Sequence, residues 1–378
     1  MKVRIVQSVI PEYRDPFFRR IAAQPGIELE VWADLEEGTG SLKNAPDRGG
    51  YRRVHAPNRV VGPLLWQPAL LDAVNGEAEV VVAQWNARLA HLFPAIRKAR
   101  RHGVRLVLWG HGMGKRESAT RRAIRNALGK RADAVILYTP GVAAELRDAG
   151  FDPRRLHVAP NSLNLDPIEA ARRAWPAERV RSFLAERGCE PGRTVLFVSR
   201  LEPDKRVDLL LEAMAALAGD HPELRTCIIG GGPERPQLEA LAGRLGISST
   251  VRFEGPVYTE ANLAPWFLGS MCMGYPGPIG LSLLHAFAYG LPVIAHDRRI
   301  NHGPEIEALR PGENGLLFTE GDPRTLADAI ASLHKDDERR RRMSDAARSA
   351  VRDDGPWSMD AMVRGFTAAI RGEPAGGP

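Results

Sequence analysis

Tyr275-Pro276-Gly277-Pro278-Ile279-Gly280-Leu281-Ser282-Leu283-Leu284-His285-Ala286-Phe287-Ala288-Tyr289-Gly290-Leu291-Pro292-Val293-Ile294 holds a strand end, a glycine loop, a helix and the next strand. Strand runs joined through a helix imply a parallel sheet with both faces covered. Gly277 and Gly280 let backbone come close to a ligand. The helix beginning near Leu281 offers unpaired N–H groups and the positive end of its dipole. A phosphate fits against residues 277–282 without further side chains.

Upstream, the run 195–198 reads as a strand ending in Ser199-Arg200-Leu201, and Lys205 follows at the next helix start. Ligands of open parallel sheets bind at that strand edge. A bidentate guanidinium and a compact ammonium there suit a diphosphate. A solvated pair balanced by Glu202 and Asp204 is the competing reading. Ile228-Ile229-Gly230-Gly231-Gly232-Pro233 runs a strand into a glycine turn, without the spacing of a dinucleotide fingerprint or a P-loop. Val251-Arg252-Phe253-Glu254-Gly255-Pro256-Val257 is a further strand with a tight end.

These segments resemble the family 4 glycosyltransferases. Arg200-Leu201 and Lys205 match the Arg-Leu pair and Lys that hold the donor diphosphate in that family. The resemblance implies that the turn at Gly231 lines the donor cleft and that backbone near Val257 meets the base. It also implies donor contacts from Gly277, Pro278, Ile279, Gly280, Leu281 and Ser282. Family members usually carry two glutamates eight positions apart in this stretch, where this chain has Gly277 and His285. The chain looks like a branch with an altered donor site, in which His285 donates to ribose or phosphate; a histidine satisfied between helix and sheet is the alternative. Asn301-His302-Gly303-Pro304-Glu305 resembles the family's Gly-x-Pro-Glu loop, and Glu305 is the candidate replacement carboxylate, against ordinary helix capping.

In the first half, Trp109-Gly110-His111-Gly112-Met113-Gly114 ends a strand in glycines around an imidazole. The resemblance makes His111 a contact to the transferring sugar, so His111, Arg200 and Lys205 form the expected catalytic set. Gln84, Trp85 and Asn86 end the preceding strand, offering amides and an aromatic face to an acceptor. The first turn, Pro11 to Phe18, places Arg14 as the anion contact of that acceptor site.

Around these motifs, the runs 3–6, 29–32, 80–83, 106–109 and 135–138 read as strands of one Rossmann-like half. The runs 195–198, 227–229, 251–253, 271–273 and 292–295 belong to a second. A length of 378 residues suits two domains. We expect an α/β GT-B fold, two Rossmann-like domains facing each other across a cleft. The acceptor domain is expected over 1–175 and the donor domain over 176–356. A last helix at about 357–372 packs back on the first domain, as in GT-B families.

Charge is uneven: residues 1–170 hold 26 Lys and Arg against 18 Asp and Glu, and the rest hold 26 against 28. Residues 97–131 carry twelve Lys or Arg and one acid, Glu117. Such a patch gains about 1 kcal/mol per basic residue near an anionic membrane, and it would also suit an acidic acceptor. No nucleic-acid motif accompanies it. The stretch 62–71 reads as a core helix after a proline turn or as a segment dipping toward lipid. No apolar run is long enough to span a bilayer, no secretory signal is recognisable, and Cys189, Cys227 and Cys272 are too dispersed for a metal ribbon. A cytoplasmic protein, peripheral to the membrane at most, is expected.

The resemblance implies metal-independent transfer from a nucleoside-diphosphate sugar, UDP or GDP first among the nucleotides, with retention and without a cofactor. No Asp-x-Asp motif is present. The alternatives are a nucleotide- or glycan-binding pseudo-glycosyltransferase and a sugar-nucleotide epimerase.

Overall fold

The computed structural model describes residues 1–36, 43–62, 64–112, 114, 117–352 and 354–375. Met113, Lys115, Arg116, Pro63 and the final residues of the tail lie outside them. The chain forms two compact units: Met1–Asn161 with Met359–Pro378, and Ser162–Ser358.

The first unit contains β1 (Lys2–Val6), β2 (Glu28–Ala33), β3 (Arg52–His55), β4 (Arg59–Val61), β5 (Leu64–Trp66), β6 (Val80–Gln84), β7 (Arg105–Trp109), β8 (Ala134–Leu137) and β9 (Leu156–Val158). Seven of these make one sheet in the order β3-β2-β1-β6-β7-β8-β9, parallel throughout. Its helices are α1 (Asp15–Ala22), α2 (Ala69–Ala73), α3 (Leu92–His102), α4 (Ala119–Gly129) and α5 (Pro140–Asp148). Central strands such as β6, Val-Val-Val-Ala-Gln, are buried almost throughout, as helices on both faces demand. The stretch 62–71 is not one core helix: β4 and β5 pair as an antiparallel hairpin ahead of the short α2.

The second unit opens with α6 (Asp166–Ala174) and α7 (Ala177–Ala185). Its sheet has β10 (Thr194–Val198), β11 (Arg225–Ile229), β12 (Val251–Gly255), β13 (Cys272–Tyr275), β14 (Val293–His296) and β15 (Gly315–Phe318), in the order β12-β11-β10-β13-β14-β15. All neighbours run parallel. Strand order therefore reverses between β10 and β13, the position where open α/β sheets leave a crevice beyond the strand ends. The connecting helices are α8 (Val207–Leu217), α9 (Arg235–Arg244), α10 (Glu260–Gly269), α11 (Leu281–Ala288), α12 (Pro323–His334) and α13 (Asp337–Val351).

The chain passes from one unit to the other between Asn161 and Ser162, ahead of the boundary expected near residue 175. The physical reason is that α6 and α7 pack on α10, and Ile168, Ala171, Val180 and Leu184 enter the second core. The last helix, α14 (Met359–Arg371), belongs to the first unit. Met362, Phe366 and Ile370 lie in one core with Phe17, Val82 and Trp109. Phe366 meets Phe17 and Trp109 edge-on, each at 5.1 Å between centroids.

Candidate active site

In the second unit the glycine turn after β11 is pressed onto the end of β10. A Cβ on Gly230 would lie 1.8 Å from the Ser199 carbonyl oxygen, and one on Gly232 would lie 2.3 Å from that of Leu201. No side chain fits there, so only glycine lets the two strand ends meet. The Leu201 N–H donates to the Gly231 carbonyl at 2.9 Å, and the Gly230 N–H to Gly255 at 2.9 Å. Arg200, Gly231 and the Gly255-Pro256-Val257 turn are thereby held at one sheet edge. Arg200 is exposed, with Glu202 3.9 Å away; Lys205 is less exposed and 3.0 Å from Asp204.

The loop after β13 reaches the same place from the other side of the strand-order reversal. Tyr275 Oη donates to Ser199 Oγ at 2.9 Å, tying the ends of β13 and β10. A Cβ on Gly277 would stand 2.4 Å from the Asp204 carbonyl oxygen and 2.6 Å from the Lys205 Cα, so the loop sits directly on the Lys205 backbone. Gly280 caps α11 without a side-chain partner for its first N–H groups. A helix start of this kind, with no side-chain cap, suits an anion.

The 301–305 segment locks this loop from below. The Ile279 N–H donates to His302 Nδ1 at 3.1 Å, His302 Nε2 bonds the His296 carbonyl at 2.9 Å, and the Gly303 N–H donates to the Ile279 carbonyl at 2.7 Å. His302 is therefore the tautomer with its proton on Nε2. Glu305 is buried, and its Oε2 would be 3.5 Å from a Cβ on Gly280. A carboxylate does stand beside the loop, contributed from another segment.

His285 is not brought to that loop by any contact among the described residues. Its Nε2 pairs with Glu260 at 3.0 Å, and its ring packs on Phe267 with centroids 4.7 Å apart. Tyr289 Oη donates to the same carboxylate at 2.8 Å. Burial alone would raise the Glu260 pKa, yet these bonds hold it below the ordinary carboxylate range. The satisfied histidine is the reading the geometry favours, with Glu260 on α10 as the partner that spacing along the chain did not reveal.

In the first unit, Arg14, Gln84, Trp85, Asn86 and His111 line one cavity of about 530 Å³, together with Trp109, Glu117, Arg121 and Tyr138. Arg14 lies 4.2 Å above the Trp109 ring centroid and donates to Tyr138 Oη at 2.8 Å. Burial alone would lower its pKa, but Tyr138 and Tyr13 more than offset this, and the guanidinium stays charged. No carboxylate among the described residues pairs with it. His111 is exposed, with its ring 4.8 Å from that of Tyr138. Gln84 donates to Ser8 Oγ at 3.1 Å.

Trp85 departs from the expected aromatic face. Its indole is buried against Phe151 and α4, with Nε1–H donated to the Arg125 carbonyl at 3.0 Å. The glycine at position 129 leaves room for the ring. Trp109 is the aromatic that holds the Arg14 cation instead, an assignment requiring contact between the first turn and β7.

Among the described residues, one group has the spacing to hold a metal. Ligand atoms of His221, Glu223 and His334 lie within 4.8 Å of one another, at the opposite sheet edge beside the start of β11. Arg193 stands 3.1 Å from His334 Nδ1, so a cation already faces that imidazole. The cluster reads as a hydrogen-bonded network.

The family description "Glycosyltransferase Family 4" matches residues 19–167, and "Glycosyl transferases group 1" matches residues 186–350. The chain belongs to the family 4 glycosyltransferases.

This family 4 chain is 33% identical over 298 residues to the D-inositol 3-phosphate glycosyltransferase of Streptomyces scabiei, covering 72% of the chain and 64% of that protein, just under two thirds of its length. It is 26% identical over 378 residues to the GDP-mannose-dependent alpha-(1-6)-phosphatidylinositol monomannoside mannosyltransferase of Mycobacterium tuberculosis, covering 97% and 95%. Among solved structures, Anabaena HepE in complex with UDP superimposes with TM-score 0.71 at 18% identity, covering 98% of this chain and 100% of that one. A Rickettsia africae glycosyltransferase gives 0.74 at 14%, covering 98% and 97%. At those identities the likeness establishes the fold, two parallel-sheet α/β domains of GT-B type.

Proposed function

We propose that this chain moves a sugar from a nucleoside-diphosphate sugar to a hydroxyl of a glycan, lipid-linked or small-molecule acceptor. UDP and GDP are the first nucleotides to consider. Both occur in its relatives: GDP-mannose in the mycobacterial enzyme's name, UDP bound in HepE. What supports the reading is that the chain at Leu201, next to Arg200, bonds the glycine turn after β11, and that the loop leading into α11 is packed on the Lys205 backbone, both beside the β10/β13 reversal.

In the proposed reaction the bond between the anomeric carbon and the diphosphate breaks, and negative charge grows on the departing oxygens. Arg200 and Lys205 neutralise it, and preorganised N–H groups at Leu281 and Ser282 donate hydrogen bonds to the departing oxygens. The site supplies this charge from its own side chains and backbone, so transfer needs no divalent ion. Glu305 supplies the carboxylate that Gly277 cannot, toward the sugar. Acceptors enter the first-unit cavity, where Arg14 meets an anionic group and His111 a sugar hydroxyl. Retention at the anomeric carbon, with the donor phosphate taking the acceptor proton, belongs to the same proposal. The basic region 97–131 would hold the enzyme near an anionic membrane.

Thermal-shift titration with UDP, GDP, CDP, ADP and dTDP tests the donor site, because a ligand binding only the native state raises its stability. We expect one or two of these to raise Tm in the wild type and to lose that effect in Lys205→Ala. No shift with any of the five would sink the reading. The replaced glutamate positions favour one rival, a nucleotide-binding pseudo-enzyme, which would shift with nucleotide yet turn over none of the corresponding donors.

A further inference from the structure

Nine large apolar side chains are exposed among the described residues, and five of them fall in one place. Val60, Val61, Leu64 and Trp66 on the β4–β5 hairpin and Phe93 at the start of α3 are between 42% and 64% exposed. Chance scatter leaves such residues single. The hairpin is anchored by its one inward residue, Leu65, which enters the core and pairs with the segment before α3. The Leu65 N–H donates to the Arg88 carbonyl at 2.8 Å, the Ala90 N–H returns to Leu65 at 3.1 Å, and Trp66 meets His91 edge-on at 4.3 Å. The outward residues are thus held out on a braced ribbon.

The charges around this ribbon decide what covers it. Arg59 on the hairpin, Arg88 beside it and Arg97, Arg100 and Arg101 along α3 are exposed, and α3 contains no acid. Arg97 reaches back over Phe93 at 5.8 Å. Apolar tips ringed by cations match an anionic bilayer, whose headgroups meet the arginines while its acyl region takes the tips. A second copy of the same basic face would be repelled.

We propose that the hairpin formed by β4 (Arg59–Val61) and β5 (Leu64–Trp66) is a wedge that inserts into an anionic membrane surface, with α3 lying over the headgroups. This deepens the membrane contact of the proposed function from attraction to insertion. Ala87 and Arg88 also line the first-unit cavity. The rim of the proposed acceptor pocket is therefore joined by a backbone ladder to the inserted ribbon.

The test is flotation of the full chain with vesicles of phosphatidylcholine alone and of phosphatidylcholine with phosphatidylglycerol. The wild type should float with the anionic vesicles only. The double variant Val60→Asp/Val61→Asp should lose about tenfold in partitioning, since two exposed aliphatic groups no longer leave water. Its Tm and its nucleotide-induced shift should stay as in the wild type, because neither side chain is buried. Equal flotation of both proteins, or no flotation of the wild type, overturns the wedge. So does a concentration-dependent dimer that the double variant abolishes. Failure of nucleotides to stabilise the wild type would instead remove the donor-site reading and leave the flotation result standing.

Discussion

Gly277 shows how a single position decides which chemistry a site can use. With the Asp204 carbonyl 2.4 Å and the Lys205 Cα 2.6 Å from any added Cβ, Gly277→Ala must push the loop off Lys205. Overpacking of this kind costs about 1–3 kcal/mol, and the loop carries with it the amides proposed to bind the diphosphate. We expect a lower Tm and a reduced nucleotide-induced shift, both read in one thermal-shift series. Gly277→Glu, which restores the family's usual residue, should bind nucleotide no better than the alanine variant; improved binding would show that the loop can move. Glu305→Gln should leave the fold intact and weaken donor-sugar affinity, measured by titration calorimetry. Unchanged affinity would assign the buried carboxylate to loop support alone. At this scale the sequence was legible where backbone does the work, since glycines and helix starts are local. It was less legible where a side chain's partner comes from another element: nothing near His285 points to Glu260, and nothing near Trp85 shows that α4 leaves a space for its ring.

Single elements carry their own tests. Phe366 on α14 is fully buried between Phe17 and Trp109, and Phe366→Ala should cost about 3–5 kcal/mol of first-unit stability, measured by urea unfolding. Glu30 on β2 joins three strands, pairing with Lys2 and Arg4 on β1 and with Arg52 on β3. Burial alone would raise its pKa, but bonds from Trp32, Lys2 and Arg4 bring it down to about 2 from 4.5. A depressed folded-state pKa means stabilisation that is complete above the unfolded value and lost as pH falls toward the folded one. The Tm difference between wild type and Glu30→Gln should therefore be largest near neutrality and shrink progressively on acidification; a difference independent of pH would refute the linkage. Buried strands such as β6 and β10 stand out in the sequence as apolar runs. β3, β9 and the exposed hairpin do not, because short edge or surface strands lack the continuous apolar pattern that burial imposes.

For the whole molecule, the division into two α/β units and the parallel sheets followed from alternating strand and helix runs. The exact crossing point did not, because α6 and α7 choose their side through packing on α10, which no local pattern records. If the proposed chemistry is right, turnover with a matched donor should persist in excess chelator, followed by release of nucleoside diphosphate. Loss of activity restored by a divalent ion would require a different account of how the leaving group is neutralised. One architectural fact reaches beyond equilibrium. The first unit is discontinuous in the chain, and its closing segment, α14, is made only after the whole of the second unit. On the ribosome the second unit can therefore mature while the nascent N-terminal half still exposes the seat that Phe366 will fill. A premature stop just before Met359 would release a protein whose amino-terminal half is the damaged part.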